Sequence, residues 1–157
     1  MNGHLTYAGA TIILNSLLGK TQYANLASTS YLALSTTVPT YATSTSTGET
    51  TGALTNITEP ITSANYAREL IGNYQVSATQ KATIAWDSTN NTTKASLNSA
   101  IKFNRATESW GTIVAWVIYS SASGGTPLAW GELETSVTVN SGEAPYVDTD
   151  NFEITLD

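Results

Sequence analysis

Eight short segments rich in β-branched and aromatic residues are the feature that most constrains the fold of this chain. Each segment is bounded by clusters of Ser, Thr, Asn or Gly, which favour turns. The predicted strands cover residues 31–35, 67–71, 81–86, 100–103, 112–119, 128–133, 137–139 and 152–156. Short strands at this spacing are typical of an antiparallel β-sandwich or jelly roll.

The apolar pattern within these segments also predicts where two of the strands lie. The segment 112–119 is apolar on both faces, which predicts a central strand. In the first segment Leu32 and Leu34 alternate with smaller residues, so both are expected to face the same side. The sequence Ser123-Gly124-Gly125 then predicts a tight turn that joins two strands in a hairpin.

One helix is predicted near the amino terminus, over residues 4–19. Apolar residues recur there at three- and four-residue steps, from Leu5 through Ala8 and Ile12 to Leu17, and Gly19 stands where a carboxyl-terminal cap is expected. Two roles are open for this helix. It closes the open end of a sheet, or it docks on a partner subunit.

Residues 36–63 are predicted to form a long loop or extended arm of a single domain that covers residues 1–157. The segment is dominated by Thr, Ser and Gly, and loops of this length are usually functional or disordered. Its large apolar side chains between 36 and 58 are few, and they predict contacts with another subunit once the arm is ordered. These candidate intersubunit residues are Val38, Tyr41, Leu54 and Ile57.

Charge and composition exclude several classes of partner and chemistry. Twelve acidic against six basic residues give a net charge of −6, which argues against binding to nucleic acid. The apolar run 10–18 is too short to span a bilayer and no basic residue precedes it, so we expect neither a membrane span nor a signal peptide. The chain has no cysteine, which excludes disulfides and thiolate chemistry. We expect the protein to be made and retained in the cytoplasm.

No arrangement of residues predicts an enzyme. His4 is the one histidine, and its terminal position is a poor place for a catalytic base. Glu132 and Glu134 alternate on a predicted strand and are expected to face the same side, about 7 Å apart, as a pair of glycosidase acids would. Acidic residues on an exposed strand have the same pattern, and we therefore expect no catalytic residues.

A metal or cofactor site is also not expected. Asp148, Asp150 and Glu153 supply oxygen ligands close together, but the segment lacks the glycine of a helical calcium loop. An acidic edge with no bound ion has the same composition. No glycine-rich phosphate loop is present.

Tryptophan leaves one further alternative open. Trp86, Trp116 and Trp130 lie in predicted strands, where aromatic side chains usually belong to the core, and Trp110 lies just before one. Exposed rings of this kind also stack on sugars, so a carbohydrate-binding module is the alternative. We expect core packing for the three tryptophans in strands.

Several short strings, taken in order, resemble a family of small virion proteins of tailed bacteriophages. These proteins are described as tail-fibre-like, and related chains serve as accessory head proteins. The strings are 31–36 (YLALST), 58–60 (TEP), 66–68 (YAR), Phe103, 110–112 (WGT), 124–133 (GGTPLAWGEL), 137–143 (VTVNSGE) and 152–157 (FEITLD).

The resemblance implies a β-sandwich structural protein of the virion without catalytic residues. Its expected partners are other virion proteins, either capsid or tail, and further copies of itself. The first hypothesis is an accessory capsid protein, a cement or decoration that stabilises the shell. The second is a tail fibre or tail-tip component that contacts the host, and a carbohydrate-binding module is the third.

Overall fold

The computed structural model describes residues 4–18, 29–43, 50–73, 80–90, 92–149 and 152–156. The elements of these residues are one α-helix, α1 (Tyr7–Leu17), one short 3-10 helix (Thr62–Ala64) and twelve strands: β1 His4–Leu5, β2 Thr29–Ser35, β3 Thr40–Thr43, β4 Thr50–Thr55, β5 Glu69–Asn73, β6 Ala82–Asp87, β7 Thr92–Leu97, β8 Ile101–Lys102, β9 Gly111–Tyr119, β10 Pro127–Val139, β11 Tyr146–Val147 and β12 Glu153–Leu156. Their pairings are antiparallel. The predicted mainly β, sandwich-like fold class is confirmed.

The largest sheet has five strands in the order β1-β10-β9-β2-β5. Strand β9 lies in the middle of this sheet, which confirms the central strand predicted from its apolar faces. The turn from β9 to β10 contains Gly124 and Gly125 with φ angles of 61° and 74°. Glycine adopts these positive φ angles at little cost, so the predicted hairpin forms where the sequence places it.

A smaller sheet, in the order β12-β7-β6, packs against one face of the five-stranded sheet. The main sheet contributes Leu32, Leu34 and Trp116 to the core between them. Leu97 of β7 and Phe152, which directly precedes β12, contribute from the other side. The rings of Trp116 and Phe152 lie with their centroids 4.9 Å apart. Leu32 and Leu34 thus share one side of β2, as predicted from their alternation.

The opposite face of the main sheet has a small apolar cluster of its own. Ala33, Val117 and Tyr119 are buried there, and Ile57 and Trp130 pack against them. Because neighbouring residues of a strand point to opposite faces, β2 and β9 supply side chains to both clusters.

The structure differs from the prediction of an irregular arm over residues 36–63. Strands β3 and β4 pair as a hairpin within it, and hydroxyl and amide side chains fix its base to the sheet. The N–H of Thr58 donates to Ser35 Oγ at 3.2 Å, and Asn56 Nδ2 donates to the Val38 carbonyl at 2.9 Å. The small number of apolar residues did not indicate this pairing, because hydroxyl and amide side chains supply many of the contacts in the described part of the segment.

The helix begins at Tyr7, three residues after the predicted start at residue 4. Residues His4–Leu5 instead form β1 and pair with β10. The buried Thr6 ends this strand and caps the helix: its hydroxyl accepts the N–H of Gly9 at 3.0 Å and donates to the Pro127 carbonyl at 2.7 Å. Gly19, the predicted cap at the other end, lies outside the described residues.

Helix α1 lies against β10 and also contacts β1 and β4. A Cβ atom at Gly9 would collide with the Leu128 carbonyl oxygen, so glycine permits the close approach of helix and strand. The helix therefore covers part of its own sheet, as the first of its two predicted roles requires. Its outer side exposes Tyr7, Leu14 and Leu18.

We expect Trp116→Ala to lower the free energy of unfolding by about 3–5 kcal/mol, because it removes a large ring from a filled core. Trp116 is only 1% exposed. The matched control is Trp86→Ala, at a position 60% exposed, which is expected to cost about 1 kcal/mol or less. Urea unfolding of both variants measures the difference, and equal losses would contradict the assignment of Trp116 to the core.

Candidate interaction surfaces

Strand β6 carries large apolar side chains on the protein surface. Ile84 is 75% exposed and Trp86 is 60% exposed, whereas Ala82 on the same face packs against the core. We call Ala82, Ile84 and Trp86 the β6 stripe. Among the residues that the structure describes, none covers this face of β6 beyond Ala82. An exposed apolar surface of this kind often binds other proteins.

The hairpin of β6 and β7 holds the stripe in place. Ile84 lies opposite Ala95 in the register of the two strands. In the turn, the Asp87 carboxylate accepts the Asn90 side-chain amide and the Thr89 backbone N–H, each at 2.9 Å. These hydrogen bonds, that of Asn90 first, hold the pKa of Asp87 below its ordinary value. The strand therefore ends on a carboxylate that stays charged at neutral pH.

The expectation that the tryptophans in strands belong to the core is confirmed for Trp116 and wrong for Trp86. Trp130 is half-buried at the edge of the smaller apolar cluster. Trp110 is buried, and its Nε1 donates to the Ala64 carbonyl at 2.8 Å. An aromatic residue in a strand is buried only where a second layer covers that face, and β6 extends past the layer. The apolar alternation in β6 indicates that one face of the strand is covered. It does not distinguish a face covered by the core from one covered by another protein.

The four candidate intersubunit residues all lie at the base of the arm hairpin or along it. Tyr41 stands edge-on to the Trp130 ring, with centroids 6.4 Å apart, and Leu54 lies opposite Tyr41 between β3 and β4. Ile57 packs on the smaller cluster and Val38 is half-buried. These residues contribute to packing within the chain, and contact with another subunit stays a prediction for them.

A cavity of about 390 Å³ opens beside β10 and the β8–β11 ribbon. Its walls are mainly apolar and come from several strands and the loop before β11, with the exposed Tyr146 near the surface. The apolar lining residues include Leu34, Phe103, Ile113, Leu133, Val139 and Val147. The cavity continues the core toward the surface.

The two acids considered as a catalytic pair lie at an irregular part of β10. Glu132 pairs with Ala115, but the register with β9 shifts between Glu132 and Val137. Glu132 and Glu134 are both exposed and Leu133 between them is half-buried, and Leu133, Glu134 and Thr135 line the cavity. The register shift cannot be predicted from the sequence of β10 alone, since it depends on the pairing with β9.

The three acids considered as cation ligands have different roles. Asp148 Oδ1 accepts the N–H of Thr149 at 2.8 Å. Glu153 Oε2 pairs with Lys94 Nζ at 2.5 Å, and Asp150 lies outside the described residues. Within the part of the chain that the structure describes, no three His, Cys, Asp or Glu residues come together as a possible metal site. His4, the remaining chemical candidate, lies in β1.

A cation in the fold connects three segments of the chain. Arg68 Nη2 pairs with Glu59 Oε1 at 2.6 Å, with the two side chains only 9% and 23% exposed. The Arg68 Cζ atom lies 3.4 Å from the centre of the Tyr119 ring, a cation–π contact. Arg68 Nη1 also donates to the carbonyls of Ser121 and Gly124, at 2.9 and 2.6 Å. This arrangement fixes the base of the arm to the end of β9 and to the turn after it.

Tyr66 extends the same network into the core. Its hydroxyl donates to Glu59 Oε2 at 3.0 Å and accepts the N–H of Leu34 at 2.9 Å. Burial, and then the neighbouring Glu59 charge, raise the pKa of Tyr66 far above its ordinary value. The phenol therefore stays protonated and keeps its hydrogen bond to the carboxylate. In the sequence, only the resemblance to the virion protein family drew attention to Glu59, Tyr66 and Arg68, and it did not predict their contacts.

We expect Glu59→Gln to lower the free energy of unfolding by about 2–3 kcal/mol, because the largely buried Arg68 side chain loses its counter-charge. The matched control is Glu153→Gln, which breaks the exposed pair with Lys94 and is expected to cost less than about 1 kcal/mol. Denaturant unfolding at neutral pH compares the two variants. If both lose the same amount, the network around Arg68 is not a special support of the fold.

The fold and its surfaces define a class: a β-sandwich-like protein with large apolar residues at its surface. A comparison with protein families identifies one family within that class. The family model described as Podophage GP4 fiber I protein gp80 matches residues 4–155. The chain belongs to this family of tail-fibre-like virion structural proteins of bacteriophages, which confirms the resemblance seen in the sequence. Among curated proteins none matches the chain.

The location in a virion follows from the family. Among the described residues, helix α1 is too short to cross a bilayer, and no longer apolar helix is found.

Proposed function

We propose that this chain is a structural subunit of a podophage tail fibre, and that it acts by binding other virion proteins without a catalytic step. The observation that carries the proposal is the family match over residues 4–155, because the description of that family names a fibre protein. A fibre subunit must transmit force and position through contacts with its neighbours, so its function depends on surfaces and not on a reactive centre.

The use of charged and apolar residues in the fold supports this proposal. The Glu59–Arg68 pair holds the arm to the sheet, and Glu153 pairs with Lys94. Large apolar side chains are exposed at the same time, among them Ile84 and Trp86. Charged groups that stabilise the scaffold and apolar groups at the surface suit an assembling protein.

An accessory capsid protein, the cement or decoration hypothesis, is the second candidate. The negative net charge of −6 favours a place outside the shell and away from the packaged nucleic acid. A tail location satisfies the same condition, and the description of the family favours the tail. We therefore place the capsid hypothesis second.

Fractionation of purified phage separates these two candidates. We expect the protein in isolated tails, and antibodies against it should label the tail in electron micrographs. An equal mass of DNA-filled heads without tails is the control fraction. Recovery of the protein in the heads alone would contradict the fibre proposal and favour the cement hypothesis.

We expect the purified protein to show no hydrolysis in a screen of glycan and ester substrates, because Glu132 and Glu134 are both exposed and the Glu59 carboxylate is engaged by Arg68 and Tyr66. Glu132→Gln and Glu134→Gln are the variants for any activity that appears. Turnover that either substitution abolishes would contradict a purely structural role. Glycan binding without turnover that is lost in Trp86→Ala would favour the carbohydrate-binding alternative.

A further inference from the structure

We infer that two copies of this chain pair through the outer edges of β6, so that their three-stranded sheets join into one antiparallel sheet. The inference deepens the proposed function, on which it rests, by naming one subunit contact of the fibre protein. Four features of the strand carry it: an unprotected edge, the direction of its backbone groups, the charges at its two ends and the sizes of the stripe side chains.

The outer edge of β6 lacks the usual protection of an edge strand. In the described sheet β6 is a terminal strand with β7 as its neighbour. Edge strands usually avoid pairing with other chains through Lys, Pro, bulges or inward-pointing charges. Residues 82–86 (ATIAW) contain no charge and no proline, and their pairing with β7 is continuous without a bulge. The strand is therefore suited to accept a further strand.

The backbone direction follows from one hydrogen bond at the start of the strand. The N–H of Asn98 donates to the Lys81 carbonyl at 2.8 Å, so Lys81 directs its carbonyl toward β7. Hydrogen-bonding direction alternates along a strand, and Ala82, Ile84 and Trp86 therefore direct their N–H and C=O groups to the open edge. Three pairs that exchange both bonds would give about six hydrogen bonds between two copies.

The charges select the register. Lys81 and Asp87 bracket the strand, each three residues from Ile84. In an antiparallel pair centred on Ile84, Lys81 lies opposite Asp87 of the partner subunit, and the same pair recurs on the other side of the axis. A shift to either neighbouring centre places Lys81 opposite an uncharged residue. Opposite charges in facing positions contribute about 0.2–1 kcal/mol for each pair.

The stripe side chains fit the same register. Ile84 lies opposite Ile84 of the partner subunit at the two-fold axis, and Trp86 lies opposite the small Ala82 of the partner subunit. A large side chain facing a small one fills space without a clash. The pairing would cover part of the two most exposed apolar side chains of β6, and removal of apolar area from water favours association.

The contact has the size of a weak interface. One pair of short strands buries less than the roughly 1,200–2,000 Å² of stable complexes, so separate copies should dissociate at low concentration. Many copies held on one particle gain from a high effective concentration. We therefore expect weak pairing of the purified protein that becomes firm in the fibre.

Cysteine cross-linking tests both the contact and its register, since the natural chain has no cysteine. Ile84→Cys should give a disulfide-linked dimer under mild oxidation, because facing residues of a hydrogen-bonded pair have Cα atoms about 5.5 Å apart, within disulfide range. The matched controls, Thr83→Cys and Ala85→Cys, are exposed positions of the same strand. Each alone should link poorly, whereas a mixture of the two should link well, because residue 83 faces residue 85 across the axis. Equal linking at all three positions, or none at Ile84→Cys, would overturn the inference.

Sedimentation of the unmodified protein over a range of concentrations gives the second test. We expect reversible dimers, with association weakened at least tenfold by Ile84→Lys, which places a charge on the edge. Tyr146→Lys is the control, since Tyr146 is also exposed and lies outside β6. Dimers that are insensitive to Ile84→Lys would overturn the inference. So would a protein that stays monomeric throughout while Trp86→Ala abolishes glycan binding.

These results are independent of the location of the protein in the phage. A cross-linked dimer of a protein found only in heads would retain the pairing and overturn the fibre proposal. A protein found in tails that fails to cross-link at Ile84→Cys would retain the fibre proposal and overturn the pairing.

Discussion

The contacts of the Arg68 guanidinium connect the base of the arm, the end of β9 and the β9–β10 turn. The guanidinium binds Glu59 at the base of the arm, stacks on Tyr119 at the end of β9 and donates to the carbonyls of the β9–β10 turn. Through Glu59 it also reaches Tyr66, and through Tyr66 the backbone of β2. A planar cation with donors along its rim can join a carboxylate, a ring and two carbonyls at once, which a lysine ammonium cannot. Arg68 therefore fixes Glu59, next to the hairpin that carries the candidate contact residues, to the end of β9 and to the turn after it.

Elsewhere hydroxyl groups take the role that charges have in many domains. Only 11% of the residues are charged, whereas 27 are Thr and 17 are Ser. Ser35 shows the effect: it is fully buried, its Oγ donates to the Thr37 carbonyl at 2.7 Å and it accepts the N–H of Thr58. Such bonds satisfy the backbone of a connecting segment at a lower desolvation cost than ion pairs. They also explain why a segment with few apolar residues has a defined course at the base of the hairpin.

The sequence predicts those features that depend on local pattern, and it fails where the outcome depends on distant residues. Alternation places Leu32 and Leu34 on one side, and apolarity on both faces makes β9 central, because both signals lie within one strand. The exposure of Trp86 depends on where the other sheet ends, which no window around residue 86 contains. Likewise Arg68 and Tyr119 are far apart in the chain, and their contact requires the sheet order. A Thr-rich hairpin is missed because its strands lack the apolar alternation that indicates burial.

The positions of the charges in β6 explain how an open edge can bind one partner and avoid others. Lys81 and Asp87 stand at opposite ends of an uncharged segment. Antiparallel pairing of two copies brings unlike charges together, whereas parallel pairing in register brings Lys81 against Lys81 and Asp87 against Asp87. Parallel, in-register stacking is one arrangement in which identical strands form fibrils, and like charges in facing positions oppose it. Antiparallel pairing about a two-fold axis is closed at this edge, because the edge of β6 pairs with the same edge of the partner subunit. The same two residues thus favour the antiparallel pair and disfavour parallel stacking, and this specificity comes from charges at the two ends of the contact.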